Sequence, residues 1–286
     1  MICSTLMYTP STAGRVVDLW TRARRAVAMR LGRYEPYLPQ VIDDGRLRSD
    51  LGRYLGLPAA TIAAWWDEYA ALSRAQGYAA RMGERKTLCF EEAFILFALM
   101  RRYRPPTVVE IGTQYGRSTR RIIDMRRHLG LASRVVCFDV VDQVRFFEPS
   151  EAELVLRDVT DDVAATVLHA YPAGLIYLDA HPYALLQDVV RAVLADGRWA
   201  LAIHDCAAGL CNPRMTLPRD EPEVTSRSGV WERHVLADIF GVPDPLSARL
   251  DDLETASHRL RVFGTPHGLA VILPRQLAPA PDPAAD

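Results

Sequence analysis

Two pairs of acidic and histidine residues draw attention because each pair directly follows a short apolar run. Asp179 and His181 come after one such run, and His204 and Asp205 come after the next. An imidazole can accept a proton near neutral pH, and carboxylate oxygens are the ligands that magnesium prefers. We expect acid–base chemistry with His181 as the base, assisted by Asp179, or a metal held by Asp179, His204 and Asp205. The alternatives are that the two histidines are structural, that His204 only orients a neighbour, and that Asp205 caps a turn.

A glycine-bracketed turn follows an earlier apolar run. The run contains Glu110 and leads directly into Gly112 and Gly116. Two prolines stop the helix before it, and Ser118 or Thr119 is expected to cap the helix after it. The spacing G-x-x-x-G lacks the third glycine of a dinucleotide-binding loop, so a ligand without a phosphate at this position fits better.

Acidic residues also follow the next two predicted strands. Asp139 ends one strand, where a carboxylate can accept hydrogen bonds from both hydroxyls of a ribose. Asp142 is the nearby alternative for that role. Asp158 follows the strand after it, with Asp161 and Asp162 as competitors.

The pattern of apolar runs predicts the elements that position these residues. Strands are predicted at 107–111, 134–139, 154–157, 175–179 and 199–204, with helices at 117–128 and 183–194. A helix at 230–240 then leads to strands at 259–263 and 269–273, which form a hairpin. This alternation predicts an α/β fold: a doubly wound, mostly parallel sheet with helices on both faces and a C-terminal antiparallel hairpin. Ligands bind such sheets at the carboxyl ends of their strands.

The N-terminal third is predicted to be helical, with breaks at prolines and glycines. One of its helices carries a large apolar face with helical spacing, made of Ile62, Trp65, Trp66, Tyr69 and Leu72. We expect this face to pack against the sheet, and the alternative is a lid or a dimer contact. The predicted organisation is a helical cap or lid at 1–88, a ligand-binding α/β domain at 89–275, and a disordered tail at 276–286.

Composition sets limits on partners and location. The chain has 286 residues, 49% hydrophobic and 24% charged, with a formal net charge of −1. Nucleic-acid binders usually carry a strongly basic face, so no nucleic-acid partner is expected. No apolar run approaches the ~20 residues that span a bilayer, so we expect no membrane partner and a cytoplasmic location. Five scattered cysteines do not suggest a disulfide framework.

The glycine loop resembles motif I of class I S-adenosylmethionine (SAM) methyltransferases, E-x-G-x-x-x-G-x-S in the sugar and antibiotic O-methyltransferase branch. The segments around Asp179 and Asp205 are similar to the I-D-G-D-H-S-Y and H-D pair of macrocin- and cephamycin-type enzymes. The resemblance covers roughly residues 90–274 and implies a Rossmann-like methyltransferase domain.

The resemblance also implies which residues bind the cofactor. Gly112 and Gly116 would let the loop pass close to the methionine part of SAM, while Glu110 anchors that part. Asp139 would bind the ribose and Asp158 would contact the adenine. The full set implied is Glu110, Gly112, Thr113, Tyr115, Gly116, Ser118, Asp139 and Asp158.

Two departures from the family pattern bear on the metal. Ala180 replaces a usual glycine, and His181 stands where many relatives carry a second aspartate. In several members the acidic positions bind a divalent ion, usually magnesium. A neutral imidazole lowers the negative charge that holds this ion, so the alternatives are Mg²⁺, Mn²⁺, or no metal with His181 acting directly. His234, His258 and His267 lack such a context and are interpreted as structural or surface residues.

The sequence therefore predicts an O-methyltransferase that acts on a hydroxyl of a small molecule, such as a sugar or natural product. The helical cap and residues 207–228 are expected to close over the acceptor, and homo-oligomers occur among relatives. The alternatives are an N- or C-methyltransferase and a non-catalytic partner or scaffold protein of the same fold. A nucleotide-dependent oxidoreductase is disfavoured by the missing glycine.

Overall fold

The computed structural model describes residues 43–78, 88–211 and 230–277. Several predictions fall elsewhere on the chain. Most of the helical cap, residues 212–228 of the acceptor-covering segment predicted at 207–228, and the tail from 278 onward lie outside the described residues.

The described residues are organised by an eight-stranded sheet with the order β3-β2-β1-β4-β5-β8-β7-β6. Strands β1 to β5 are parallel, whereas β8 runs antiparallel to β5 and continues into β7 and β6. The strands are β1 (Thr107–Ile111), β2 (Arg134–Asp139), β3 (Glu153–Leu156), β4 (Gly174–Leu178), β5 (Ala200–Ile203), β6 (Asp252–Glu254), β7 (His258–Phe263) and β8 (Leu269–Pro274). The predicted α/β class and C-terminal antiparallel hairpin are confirmed.

Within the described ranges, six α-helices surround the sheet. They are α1 (Asp44–Leu55), α2 (Ala59–Gln76), α3 (Phe90–Tyr103), α4 (Arg117–His128), α5 (Tyr183–Asp196) and α6 (Glu232–Ile239). A π-helical turn at Ala164–Leu168 and a 3₁₀ turn at Ala248–Leu250 complete the helical elements of the described ranges. The two prolines end α3 as predicted, since Tyr103 is its last residue and Arg104 follows with φ of 44°.

Side chains of the strands alternate between two hydrophobic cores. Val108 and its neighbour Leu175 face the core that includes α2, α3 and α4. Val109 and its neighbour Ile176 face the core that includes α5 and α6. Strands β1, β4, β5 and β8 are therefore buried on both faces, which explains why they read as nearly continuous apolar runs.

The apolar face of α2 packs into the first of these cores, where its aromatic rings contact helix α3. Ile62 and Tyr69 are fully buried, and the Tyr69 ring lies 5.3 Å from the Phe97 ring of α3. The Trp66 ring meets Phe94 edge-on at 4.9 Å. In the described residues, α2 and the sheet contribute to the same hydrophobic core. The domain boundary between residues 88 and 89 therefore stays a prediction.

Two further properties concern the described part of the chain. None of its helices combines the length and the apolar character that crossing a bilayer requires. Its four cysteines, Cys89, Cys137, Cys206 and Cys211, are all buried and free of disulfides.

Candidate active site

The residues that follow β4 and β5 lie side by side at the carboxyl edge of the sheet. The backbone N–H of Asp179 donates to Ile111 O at 2.9 Å, and that of His204 donates to Leu178 O at 3.0 Å. Both hydrogen bonds extend the parallel ladder one residue past the strands. The two predicted polar pairs are therefore brought to one place by the sheet itself.

Gly112 connects this place to the glycine loop. Its φ of 93° is a conformation that side chains rarely tolerate, and a Cβ there would lie 2.4 Å from Asp179 O. Only glycine allows the loop to rest on the backbone after β4. The loop that is predicted to bind the cofactor is thus in direct contact with Asp179, one of the residues predicted to act in catalysis or to bind a metal.

Gly116 ends the loop and is the N-cap of α4. It has a φ of 80°, and a Cβ there would lie 2.6 Å from the Phe147 ring. The prediction that Ser118 or Thr119 caps this helix is wrong, because no side chain makes a capping hydrogen bond. Both residues lie buried in the first turn, where the Thr119 hydroxyl donates to the Glu110 carboxylate.

Glu110 is fully buried beneath the loop. Burial raises the pKa of its carboxyl to about 8, against the opposing effect of the Ser118 and Thr119 hydroxyls. Among the described residues, Glu110 Oε1 and the Thr113 hydroxyl have no hydrogen-bond partner. Buried polar atoms are rarely left unpaired, so this loop is suited to gaining a polar partner.

Asp139 ties the end of β2 to the same loop. Its Oδ2 accepts a hydrogen bond from the Gln114 backbone at 2.6 Å, and its Oδ1 accepts one from Val141 at 3.1 Å. Tyr115 lies next along the loop, accepts a hydrogen bond from the Arg145 backbone at 3.0 Å and stacks with that guanidinium at 5.2 Å. Asp139 therefore lies beside the glycine loop, as predicted, and its oxygens retain further lone pairs for a ligand.

Asp158 is placed more peripherally. It is exposed beyond β3, the outermost parallel strand, and accepts a hydrogen bond from the Thr160 backbone at 2.9 Å. Its competitor Asp162 is engaged by Arg157. Asp142, the alternative to Asp139, is exposed.

His204 lies buried at the centre of a group of acidic and histidine side chains, called here the chemical cluster, which contains Glu92, Asp179, His204, Asp205 and His267. Its Nε2 lies 3.2 Å from Glu92 Oε2, while its Nδ1 lies 3.1 Å from Asp179 Oδ1 and 3.2 Å from Asp205 Oδ1. Nδ1 nevertheless has no partner in hydrogen-bond geometry among the described residues. Burial alone would lower the pKa of His204, but Asp179 and Glu92 raise it well above its usual range.

Glu92, on α3, was not predicted. It is fully buried, and its Oε1 accepts hydrogen bonds from the Thr265 hydroxyl at 2.7 Å and the His267 backbone at 3.1 Å. Its Oε2 accepts one from the Cys89 backbone at 3.2 Å, completing a capping box. Burial would raise the pKa of Glu92, but His204 and His267 lower it to about 2. The sequence hint was a glutamate at the third helical position, directly before the apolar run of residues 93–100.

His267 also belongs to the cluster, which corrects its interpretation as a structural or surface residue. Its Nδ1 lies 3.3 Å from Asp205 Oδ1, and its ring centroid lies 4.9 Å from that of His204. The hairpin loop is fixed by backbone hydrogen bonds from Cys206 to Gly268 O at 2.8 Å and from Ala207 to His267 O at 2.7 Å.

The best-defined group of metal-ligating atoms comes from His204, Asp205 and His267. In the described part of the chain, one atom from each lies within 4.8 Å of the others. The predicted set was Asp179, His204 and Asp205. The structure retains the contact of Asp179 with His204 and adds His267 on the other side of Asp205.

His181 contacts Glu232, at the start of α6, which the sequence did not predict as a site residue. His181 Nδ1 lies 2.7 Å from Glu232 Oε1, and His181 Nε2 lies 3.9 Å from Asp205 Oδ2. Burial would lower the pKa of His181, but Glu232 raises it to about 9. Glu232 is 2% exposed, and its own burial raises its pKa to about 7. A buried carboxylate therefore orients the candidate base.

Comparisons with known proteins give structural likenesses only. No protein-family model matches this sequence. No curated protein matches it. Among solved structures, the S-adenosylhomocysteine (SAH)-bound methyltransferase PaMTH1 of Podospora anserina is 14% identical, with 96% of this chain and 100% of that chain covered and a TM-score of 0.46.

Two further solved structures are similar at the same level. An O-methyltransferase from Bacillus cereus in complex with SAH is 15% identical, with 74% of this chain and 91% of that chain covered and a TM-score of 0.44. TomG from Streptomyces achromogenes, an O-methyltransferase involved in tomaymycin synthesis and bound to SAM, is 15% identical, with 88% and 97% covered and a TM-score of 0.39. Because these TM-scores are below 0.5, we base the proposed function on the geometry of this chain.

Proposed function

We propose that this protein is a SAM-dependent methyltransferase that methylates a hydroxyl of a small molecule. One observation carries the proposal. The glycine loop, with Asp139 beside it, rests directly on the backbone of Asp179, so the predicted cofactor and chemical residues form one continuous site.

The residues around the glycine loop suit SAM in three respects. Gly112 and Gly116 leave both ends of the loop without a side chain, and Asp139 presents a carboxylate where a ribose would lie. Glu110 Oε1 and the Thr113 hydroxyl, which have no hydrogen-bond partner among the described residues, can form hydrogen bonds with a ligand under the loop. SAM supplies a methyl group on a sulfonium, which is already a good leaving group.

His181 is proposed as the base for the acceptor. Glu232 lies 2.7 Å from its Nδ1 and raises its pKa to about 9. Nε2 therefore accepts a proton in the neutral form of the imidazole, whose fraction grows as the pH rises toward 9, and turnover should increase over the same range. As the acceptor oxygen takes the methyl group from sulfur, its proton passes to His181 Nε2. General-base catalysis of this kind contributes roughly 10²–10⁴-fold to the rate.

A divalent ion would be held by Asp179, His204 and Asp205. Such an ion supplies Lewis acidity that lowers the pKa of a bound hydroxyl. The unpartnered Nδ1 of His204, with carboxylate oxygens at 3.1 and 3.2 Å, fits this role. Mg²⁺ and Mn²⁺ were the ions expected from the sequence.

The acceptor class and the setting are proposed on the sequence. A net charge of −1 favours a small molecule over nucleic acid, and a sugar or another natural product is the proposed acceptor. A cytoplasmic location and homo-oligomers are also predictions from the sequence.

Calorimetric titration with SAH and with NAD tests the proposal. SAH should bind and NAD should not. Asp139→Asn should weaken SAH binding about 10-fold or more, because hydrogen bonds to a charged group contribute roughly 1.5–3 kcal/mol. Asp142→Asn is the matched control and should leave affinity unchanged. Tight NAD binding without SAH binding would refute the proposed function.

A further inference from the structure

The ligand atoms of the chemical cluster are spaced as they would be around one metal ion. His204 Nδ1 lies 3.2 Å from Asp205 Oδ1, which in turn lies 3.3 Å from His267 Nδ1. Adjacent ligands of an octahedral ion with bonds of ~2.1 Å are separated by ~3.0 Å. Asp179 Oδ1, at 3.1 Å from His204 Nδ1, has the same spacing on the other side.

The orientation of His204 is the second observation. Glu92 Oε2 lies 3.2 Å from its Nε2 and is fully buried, so it fixes a proton on that nitrogen. When His204 is neutral, its Nδ1 lone pair faces the two aspartates, and Nδ1 makes no hydrogen bond of good geometry with the described residues. A histidine that donates one N–H to a carboxylate and directs its other nitrogen at oxygens is the arrangement found at metal sites.

The local charge favours a cation. Three carboxylates, Glu92, Asp179 and Asp205, surround His204. In the part of the chain that the structure describes, the basic groups found within ion-pair distance of them are all imidazoles. With those imidazoles neutral, the three carboxylates give the cluster a negative charge that a divalent ion would neutralise, in place of the protons that the imidazoles otherwise hold.

We propose that this cluster binds a first-row transition-metal ion in preference to magnesium, with His267 as a ligand and Glu92 as the positioning residue for His204. Magnesium prefers an all-oxygen octahedron, whereas two imidazoles with one carboxylate suit Mn²⁺, Fe²⁺, Co²⁺ or Zn²⁺. The inference rests on the proposed function for the role of the ion in catalysis. The binding site itself rests on the ligand geometry alone.

Metal binding by the chelator-treated full-length protein tests this inference without turnover. Co²⁺ and Mg²⁺ are titrated separately by calorimetry, and Co²⁺ binding is also followed by its visible absorption. We expect Co²⁺ to bind at least ~10-fold more tightly than Mg²⁺. Equal affinities, or no Co²⁺ band, would overturn the proposal and leave a network of protonated histidines and carboxylates.

Three substitutions locate the ion. His267→Ala should weaken Co²⁺ binding at least 10-fold and change the absorption spectrum. Glu92→Gln should lower the affinity for Co²⁺ roughly 10–100-fold. The amide N–H of glutamine would donate to His204 Nε2, so the ring proton would lie on Nδ1 and that nitrogen could not bind the ion. His169→Ala, at an exposed histidine outside the cluster, is the control and should change nothing. Unchanged Co²⁺ affinity in His267→Ala would refute His267 as a ligand.

The variant His267→Asp distinguishes the loss of a metal ligand from a loss of folding. It keeps a ligand and replaces nitrogen by oxygen, so the preference should move toward Mg²⁺ by about 10-fold or more. SAH binding, measured on the same samples, reports whether the glycine loop is intact. Loss of SAH binding in the wild-type protein would defeat the proposed function while leaving the metal result readable.

Discussion

The two halves of the site are built differently. The cofactor half uses Glu110, Gly112, Gly116 and Asp139, which lie close together in the sequence and act largely through backbone contacts. The chemical half collects side chains from five separate segments, including pairs that are 112 positions apart (His204 and Glu92) and 51 positions apart (His181 and Glu232). The first half is encoded locally, whereas the second exists only when α3 and α6 pack on the sheet and β8 of the hairpin pairs with β5.

The largest expected effect comes from Asp179, where the two halves meet. Asp179→Ala should abolish turnover, because the carboxylate that faces His204 is removed. SAH affinity should stay within about twofold, because Gly112 contacts the backbone of residue 179, which the substitution preserves. Product formation with the acceptor of the wild-type enzyme and calorimetry with SAH measure the two effects. Full activity in this variant would remove Asp179 from the site.

His181 tests the chemical half alone. His181→Asn should lower kcat by roughly 10²–10⁴-fold, since a general base is lost, while the KM for SAM changes little. Glu232→Gln should lower kcat by a smaller factor above pH 9, because the imidazole remains but its orientation is no longer fixed by a carboxylate. It should also move the rising part of the kcat–pH profile to lower pH, because Glu232 raises the pKa of His181. If Glu232→Gln were as slow as His181→Asn, Glu232 would have a direct role in the reaction.

This contrast explains what could be predicted from the sequence. Strand β1 and helix α4 were predicted to the residue. Two prolines and an apolar run mark β1, and Gly116 marks the start of α4. Asp139 and the glycine loop followed from the same local pattern. Strand β6 was missed, since three residues with two charges, Asp252–Glu254, carry no strand pattern.

The site residues that were not predicted from the sequence were missed for a different reason. Glu92, Glu232 and His267 reach the site through helix packing and hairpin geometry, which the order of residues does not reveal. Each sits in an element that was itself predicted or in the loop of the predicted hairpin. Knowing that an element exists does not tell which of its side chains meets His204 or His181.

Glu110 makes the cofactor half sensitive to pH in the absence of ligand. Its folded pKa of about 8 lies above the ordinary value of 4.5, so folding favours the protonated form. Its contribution to stability is present below pH 4.5 and is lost as pH rises toward 8. The free energy of unfolding should therefore fall by a few kcal/mol more across this window in the wild type than in Glu110→Gln.

Urea unfolding at pH 5 and pH 8 measures this difference. The comparison between the two proteins cancels the pH dependence of all other groups. Parallel curves for wild type and Glu110→Gln would mean that Glu110 is ionised in the folded protein.

The smallest expected effect concerns the outer edge of the cofactor half. Asp158 is exposed beyond β3, and its Oδ1 already accepts a hydrogen bond from the Thr160 backbone. An adenine contact made by such an exposed group contributes little, so Asp158→Ala should weaken SAH binding by about threefold or less. Asp139→Asn, measured beside it by calorimetry, should cost about 10-fold or more, because Asp139 is tied to the glycine loop. A larger loss at Asp158 than at Asp139 would place the centre of cofactor binding at β3 rather than at the loop after β1.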